Sequence, residues 1–131
     1  MFLSVILPTY NVSSFLPDCL ASILRQDFPQ DDYEAIFVDD GSSDDSGAIL
    51  TETARKYPQI RYYRQENAGV SAARNRGIEL ASGDYVWFVD PDDIIALNAF
   101  QILRQAAAEH ANDTVQRICF NYYSLVRRTN A

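Results

Sequence analysis

Short apolar runs alternate with helical periodicities along these 131 residues. Val5-Ile6-Leu7 predicts a first buried strand. From Phe15 to Gln26, Leu16, Cys19, Leu20, Ile23 and Leu24 recur at the i, i+3, i+4 spacing that gathers side chains on one helix face. Ser14 is placed to cap that helix and Pro17 is tolerable in its first turn. Glu34 to Val38 predicts a second strand and Ser46 to Tyr57 a second helix, with Asp44 and Asp45 at its positive end. Ile60 to Arg64 follows as a strand, Gly69 to Ala81 as a helix closed by Ser82-Gly83-Asp84, and Tyr85 to Val89 as a fourth strand. Leu97 to His110 predicts a fourth helix and Arg117 to Tyr123 a fifth strand.

Strands that alternate with helices predict an α/β domain: a mostly parallel, Rossmann-like sheet with helices on both faces. Ligands of such sheets bind beyond the carboxyl ends of the strands. Three polar motifs fall there: Pro8-Thr9-Tyr10-Asn11, Asp39-Asp40-Gly41-Ser42 and Asp90-Pro91-Asp92-Asp93. Their convergence on one edge turns a fold prediction into a site prediction.

The last motif carries the sharpest chemistry. Three carboxylates within four residues repel one another, and a strand end is a poor place for them unless they bind a cation. A hard divalent ion, itself bridging to phosphate oxygens, relieves that conflict. Helix capping accounts for one of the aspartates, not three. In the second motif a carboxylate can accept from a nucleobase N–H or a ribose hydroxyl, and Gly41 permits a tight turn with close backbone approach. A loop rich in capping residues is the plainer alternative there. Gly69 opens a helix whose N-terminus can face an anion. Arg74 supplies a cation for Asp39 or a diphosphate, or a structural ion pair.

Composition narrows the classes. Eighteen acidic against eleven basic residues give a net charge of −7, which argues against nucleic-acid binding and against a polybasic membrane anchor. No apolar run approaches the roughly 20 residues of a membrane span. The start of the chain lacks a signal-peptide pattern, so a cytoplasmic domain is expected, peripheral to the membrane at most. Cys19 and Cys119 lie far apart in apolar stretches and read as buried free thiols. His110 reads as a helix-end residue rather than a catalyst.

Four ordered motifs together resemble the family 2 glycosyltransferases, inverting enzymes with a GT-A nucleotide-sugar-binding fold. They are residues 4–11, Phe37 to Asp44, Asn67 to Gly77 and Gly83 to Asp93. The resemblance implies that Pro8, Thr9 and Tyr10 lie along the base and ribose, with Asn11 shaping the turn. It implies that Asp39 meets the base, typically uracil, beside Gly41, and that Gly69, Arg74 and Asn75 line the nucleotide–diphosphate cleft. Asp90 and Asp92 look like its DXD pair around Pro91. Asp92 is then the better ligand for Mg²⁺ or Mn²⁺, and Asp90 contacts the ribose or a metal-bound water. The implied partners are a UDP-sugar or other nucleotide-sugar donor and a saccharide or lipid-linked acceptor, as in bacterial polysaccharide synthesis.

One departure qualifies the resemblance. The family's catalytic base is a carboxylate in the acceptor-binding half, and Thr114 to Ala131 contains no Asp or Glu. The expectation is a donor half without its acceptor half, with no catalytic base of its own. An edge strand at Phe120 to Tyr123, exposed by such truncation, is then a surface for self-association. A non-catalytic nucleotide-sugar-binding domain is the alternative. A dehalogenase-like phosphatase fits less well, because its D-x-D follows the first strand and this one follows the fourth. A sugar-phosphate nucleotidyltransferase wants a Gly-rich, Arg-containing loop where Pro8-Thr9-Tyr10-Asn11 stands.

Overall fold

The computed structural model describes residues 1–110 in full and the backbone of 117–120 and 123–127. The elements run β1 (Leu3–Thr9), α1 (Leu16–Leu24), β2 (Tyr33–Asp39), α2 (Ser46–Lys56), β3 (Ile60–Arg64), α3 (Val70–Leu80), β4 (Tyr85–Phe88), α4 (Ala99–Glu109), β5 (Arg117–Phe120) and β6 (Tyr123–Arg127). Strand order is β3-β2-β1-β4-β6-β5. The first four strands are parallel, and β6 and β5 add on as an antiparallel pair. The α/β class and the mostly parallel sheet are as expected.

Chain direction decides which face each helix covers. The chain steps outward from β1 to β2 to β3, then crosses back over β1 to reach β4. Right-handed crossovers therefore put α1 and α2 on one face and α3 on the other. The core follows suit. Leu3, Val5 and Leu7 of β1 pack with Leu16, Cys19 and Ile23 of α1, Leu50 of α2, and Phe100 and Leu103 of α4. Ile6, Ile36, Val38 and Val86 face Ala73 of α3. β1 and β2 are buried along their whole length, which explains why they read as near-continuous apolar runs. The reversal of direction between β1 and β4 opens a crevice at their carboxyl ends.

Three boundaries differ from expectation, each for a local reason. Ser14 does not cap α1: the Val12 carbonyl accepts from both Phe15 N and Leu16 N, so the chain is already turning when the helix begins. α4 starts at Ala99 rather than Leu97 because Ser22 of α1 and Gln26 just beyond it hold the preceding segment. Gln26 Nε2 donates to Ala96 O at 2.6 Å, its Oε1 accepts from Phe100 N at 3.2 Å, and Ser22 Oγ accepts from Ile95 N at 3.1 Å. The fifth strand ends at Phe120, and a sixth, unforeseen strand returns beside β4. Of the rest of the expected strand, Tyr123 falls in β6 and residues 121 and 122 lie outside the described residues, as does the Cys119 side chain. Among the described residues no helix is long and apolar enough to cross a membrane.

Candidate functional site

β1 and β2 end in register, Thr9 beside Asp39, and Asp40 N extends the pairing by donating to Thr9 O at 2.8 Å. The two turns that follow are tied together. Asn11 sits in the left-handed region at φ 49, which Asn tolerates better than most residues. Its Oδ1 accepts from Ser43 N at 2.8 Å and Asp44 N at 3.3 Å, and its own N–H donates to Ser42 Oγ at 2.9 Å. Asp44 accepts from Ser46 N at 2.9 Å and Ser13 N at 3.1 Å. Partial desolvation alone would raise the Asp44 carboxyl, but these bonds outweigh it and hold it at about 2.

Between these turns and α3 lies a cleft of about 320 Å³. Pro8, Thr9 and Tyr10 form one wall, and Gly69, Val70 and Ala73 form the other. Asp40 and Asn67 complete it. Tyr10 and Val70 are each half exposed at its rim. Gly69 adopts φ 99 at the head of α3, a conformation that L side chains rarely adopt. Gly41, at φ 83, lies outside the cleft, where an added Cβ would come within 3.3 Å of Asn67 N.

Asp39, expected to meet a base, does not line this cleft, and Asp40 does. Asp39 is fully buried on the opposite face. Its Oδ1 accepts from Ser42 N at 2.8 Å, and its Oδ2 accepts from Tyr62 Oη at 2.6 Å and Arg64 at 3.3 Å. Strand alternation is the reason: Asp39 shares its side with Phe37 and Ala35, beneath α2, whereas Asp40 shares its side with Val38 and Ile36, beneath α3. Asp40 accepts from Ala68 N at 2.8 Å, Gly69 N at 2.9 Å and Gln65 Nε2 at 2.9 Å. Burial pushes its carboxyl up, but these three bonds outweigh burial and leave it below the usual range.

At the end of β4 the acidic motif closes a turn, with Asp93 N donating to Asp90 O at 2.9 Å and Pro91 at the second position, where its fixed φ suits a turn. Asp90, Asp92 and Asp93 are exposed, and each offers a carboxylate oxygen within 4.8 Å of the others. Desolvation and the charges of Asp92 and Asp90 raise the Asp93 carboxyl, so the cluster is electrostatically unrelieved. Hard oxygen donors in this arrangement fit Mg²⁺ or Mn²⁺. Asp93 escaped the D-x-D reading, although the crowding of three carboxylates was visible in the sequence. A second cavity of about 350 Å³ lies against Asp90, Asp93, Phe88 and Arg74. Arg74 is exposed and has no ion pair among the described residues. It follows Ala73 on α3, so this helix walls both cavities. Asn75, one position further, lines neither. Cys19 is a buried free thiol, as expected; burial, then Asp93 and Asp92, push it up to about 12.

The family model of glycosyl transferase family 2 matches residues 4–129. The chain belongs to that family. Among curated relatives, the uncharacterized glycosyltransferase EpsJ of Bacillus subtilis is 43% identical over 112 residues, which cover 86% of this chain and 32% of EpsJ. The minor teichoic acid biosynthesis protein GgaB of the same species is 40% identical over 111 residues, covering 84% of this chain and 12% of GgaB. Crystal structures of S. aureus TarS 1-349 in complex with UDP and with UDP-GlcNAc each superpose with a TM-score of 0.78 at 33% identity. They cover 85% of this chain, and this chain accounts for 33% and 32% of theirs. The chain thus spans about a third or less of these relatives' length. Within the family 2 frame, Asp40, Asn67, Val70 and Ala73 are cleft residues that the sequence reading left out of the site. Strand parity identifies the first, and the helical i, i+3 spacing of Val70 and Ala73 identifies the last two.

Proposed function

We propose that this domain binds the nucleotide-sugar donor of a family 2 glycosyl transfer, with UDP as the nucleotide. The observation that carries the reading is that α3 walls two cavities. One is a cleft floored by Asp40, and the other a polar cavity between Arg74 and a three-carboxylate turn. Their sequence of chemistries matches that of a nucleoside diphosphate: acceptor for a base N–H, aromatic and backbone wall, then cation and metal-ligand cluster. UDP and UDP-GlcNAc complexes of TarS support the choice of nucleotide, and GgaB's role in teichoic acid synthesis supports a cell-surface polymer as acceptor.

In this reading Asp40 accepts from the base N–H and Tyr10 and Val70 flank the base. Arg74 faces the diphosphate across from Asp90, Asp92 and Asp93, which hold Mg²⁺ or Mn²⁺. The metal, when bound, supplies positive charge that stabilises the departing diphosphate. Inverting transfer breaks the bond between the anomeric carbon and the diphosphate oxygen as the acceptor oxygen forms its own. The acceptor's hydroxyl proton goes to a carboxylate of the acceptor-binding half.

Calorimetric titration with UDP, with and without Mn²⁺, tests the reading. Saturable binding strengthened by Mn²⁺ is expected. Asp40→Ala is expected to weaken it by tenfold or more (~1.5–3 kcal/mol for a bond to a charged group). Absence of UDP binding in the wild-type chain overturns the reading.

A further inference from the structure

We propose that Asp39, with Arg64 and Tyr62, is a positioning unit for the nucleotide cleft: it fixes the 41–45 turn, and that turn fixes Tyr10 through Asn11. The proposal rests on the donor-site reading above and adds residues that touch no ligand. Its basis is a chain of bonds running along the far side of the cleft wall. Arg64, at the end of edge strand β3, reaches Asp39 at 3.3 Å and donates to Ser42 O at 2.9 Å. Asp39 accepts from Ser42 N at 2.8 Å, so both polar groups of the Ser42 backbone are held by this pair. The Ser42 hydroxyl then accepts from Asn11 N at 2.9 Å, and Ser43 N donates back to Asn11 Oδ1 at 2.8 Å.

Two features show that this assembly does more than neutralise a buried acid. First, Asn11 is the one described non-glycine residue at positive φ, and the bonds from Ser42, Ser43 and Asp44 are what hold it there. A residue in that conformation redirects the chain directly after Tyr10, so the direction of the Tyr10 side chain depends on it. Secondly, α2 makes room for the unit. A Cβ on Gly47 would lie 2.9 Å from Tyr62 Oη, so a larger residue in the first turn of α2 would press on the Tyr62–Asp39 bond. Arg64 is half exposed while Asp39 is fully buried, so the unit is reachable from the surface.

The unit acts on the base side of the cleft and not on the acidic turn, which hangs from β4 on the other side of β1. That separation supplies the test. UDP affinity, Mn²⁺ affinity in the absence of nucleotide, and thermal midpoint are measured for wild type, Arg64→Ala, Arg64→Lys and Asp39→Asn. Arg64→Ala is expected to weaken UDP binding about tenfold, the loss of a charge-assisted bond. Mn²⁺ affinity is expected to stay within about twofold of wild type, and Arg64→Lys to recover part of the UDP affinity. Should Asp39→Asn fail to fold, the exposed Arg64 pair still decides. A thermal midpoint that falls while UDP affinity holds makes the unit merely structural and overturns the proposal. Equal losses of UDP and Mn²⁺ affinity overturn it too, because the effect is then global. If wild type itself does not bind UDP, it is the donor-site reading that fails.

Discussion

Asp39 and Asp40 are adjacent in sequence, and strand alternation sends them to opposite faces of the sheet. One becomes the buried centre of a hydrogen-bond network; the other becomes the floor of a cleft. The acidic turn poses a related question of assignment among neighbours. Asp90 and Asp93 line the cavity beside Arg74, whereas Asp92 is exposed and does not. Three oxygens within 4.8 Å can share one ion, and an exposed site left with two carboxylates no longer competes with water for it, while nucleotide contacts elsewhere persist. Asp92→Ala is expected to eliminate the Mn²⁺-dependent part of UDP affinity. Metal-free UDP binding should stay within about twofold of wild type. Survival of the metal dependence in calorimetry would remove Asp92 from the ligand set. Motif spacing marked the loops, and side-chain parity separated Asp39 from Asp40.

At the scale of elements, α3 is the part on which the site depends, since both cavities use it as a wall. Its approach to β1 is set by Gly77. A Cβ there would fall 2.3 Å from Ile6 Cγ2, far inside contact distance. Two effects oppose each other in Gly77→Ala. Helix propensity favours alanine by about 1 kcal/mol. Overpacking a rigid core typically costs about 1–3 kcal/mol. The gap is too small for the side chains to absorb by rotamer change, so the steric term should dominate. A net destabilisation of up to about 2 kcal/mol is expected by chemical denaturation. Ile6→Ala in the same chain should destabilise by less than the sum of the two single changes, because it removes the obstructing methyl. Additivity of the two would show that α3 does not rest on Ile6. The helices were legible from periodicity because their buried faces are apolar. The start of α2 at Ser46 was legible too, whereas that of α4 was not, because Ser22 and Gln26 reach it from another segment.

The whole molecule carries a net charge of −7, and its carboxylates are arranged unequally. Two that follow β2 accept several N–H bonds and titrate low, Asp44 at about 2 and Asp40 below its usual range. A depressed folded-state value means stability that is complete above the unfolded value of 3.8 and is lost as pH falls toward the folded one. Acid unfolding should therefore steepen between about pH 4 and 2, and Asp44→Asn should flatten that limb while leaving neutral-pH stability less affected. Unchanged acid limbs in circular dichroism would mean that the two turns are not tied through Asp44. Glu34 shows a further carboxylate that no sequence pattern announced. It is buried on the α3 side and accepts from Ser4, Arg61 and Ser82 N, tying four segments at the sheet's other end.

The sequence by itself determined the α/β class, the parallel strands and the three loops that gather at one edge. Those properties follow from local periodicity and from the near-fixed handedness of crossovers. It also determined the family, because four motifs in order are a long-range pattern that a single chain can display. Only the tertiary structure decided that Asp40 and not Asp39 faces the cleft, how close α3 lies to β1, and that β6 intervenes between β4 and β5. These depend on register, on side-chain parity and on contacts between residues some 20 to 70 positions apart. Distances of that kind are set by the packing of whole elements, and no local window of sequence contains them.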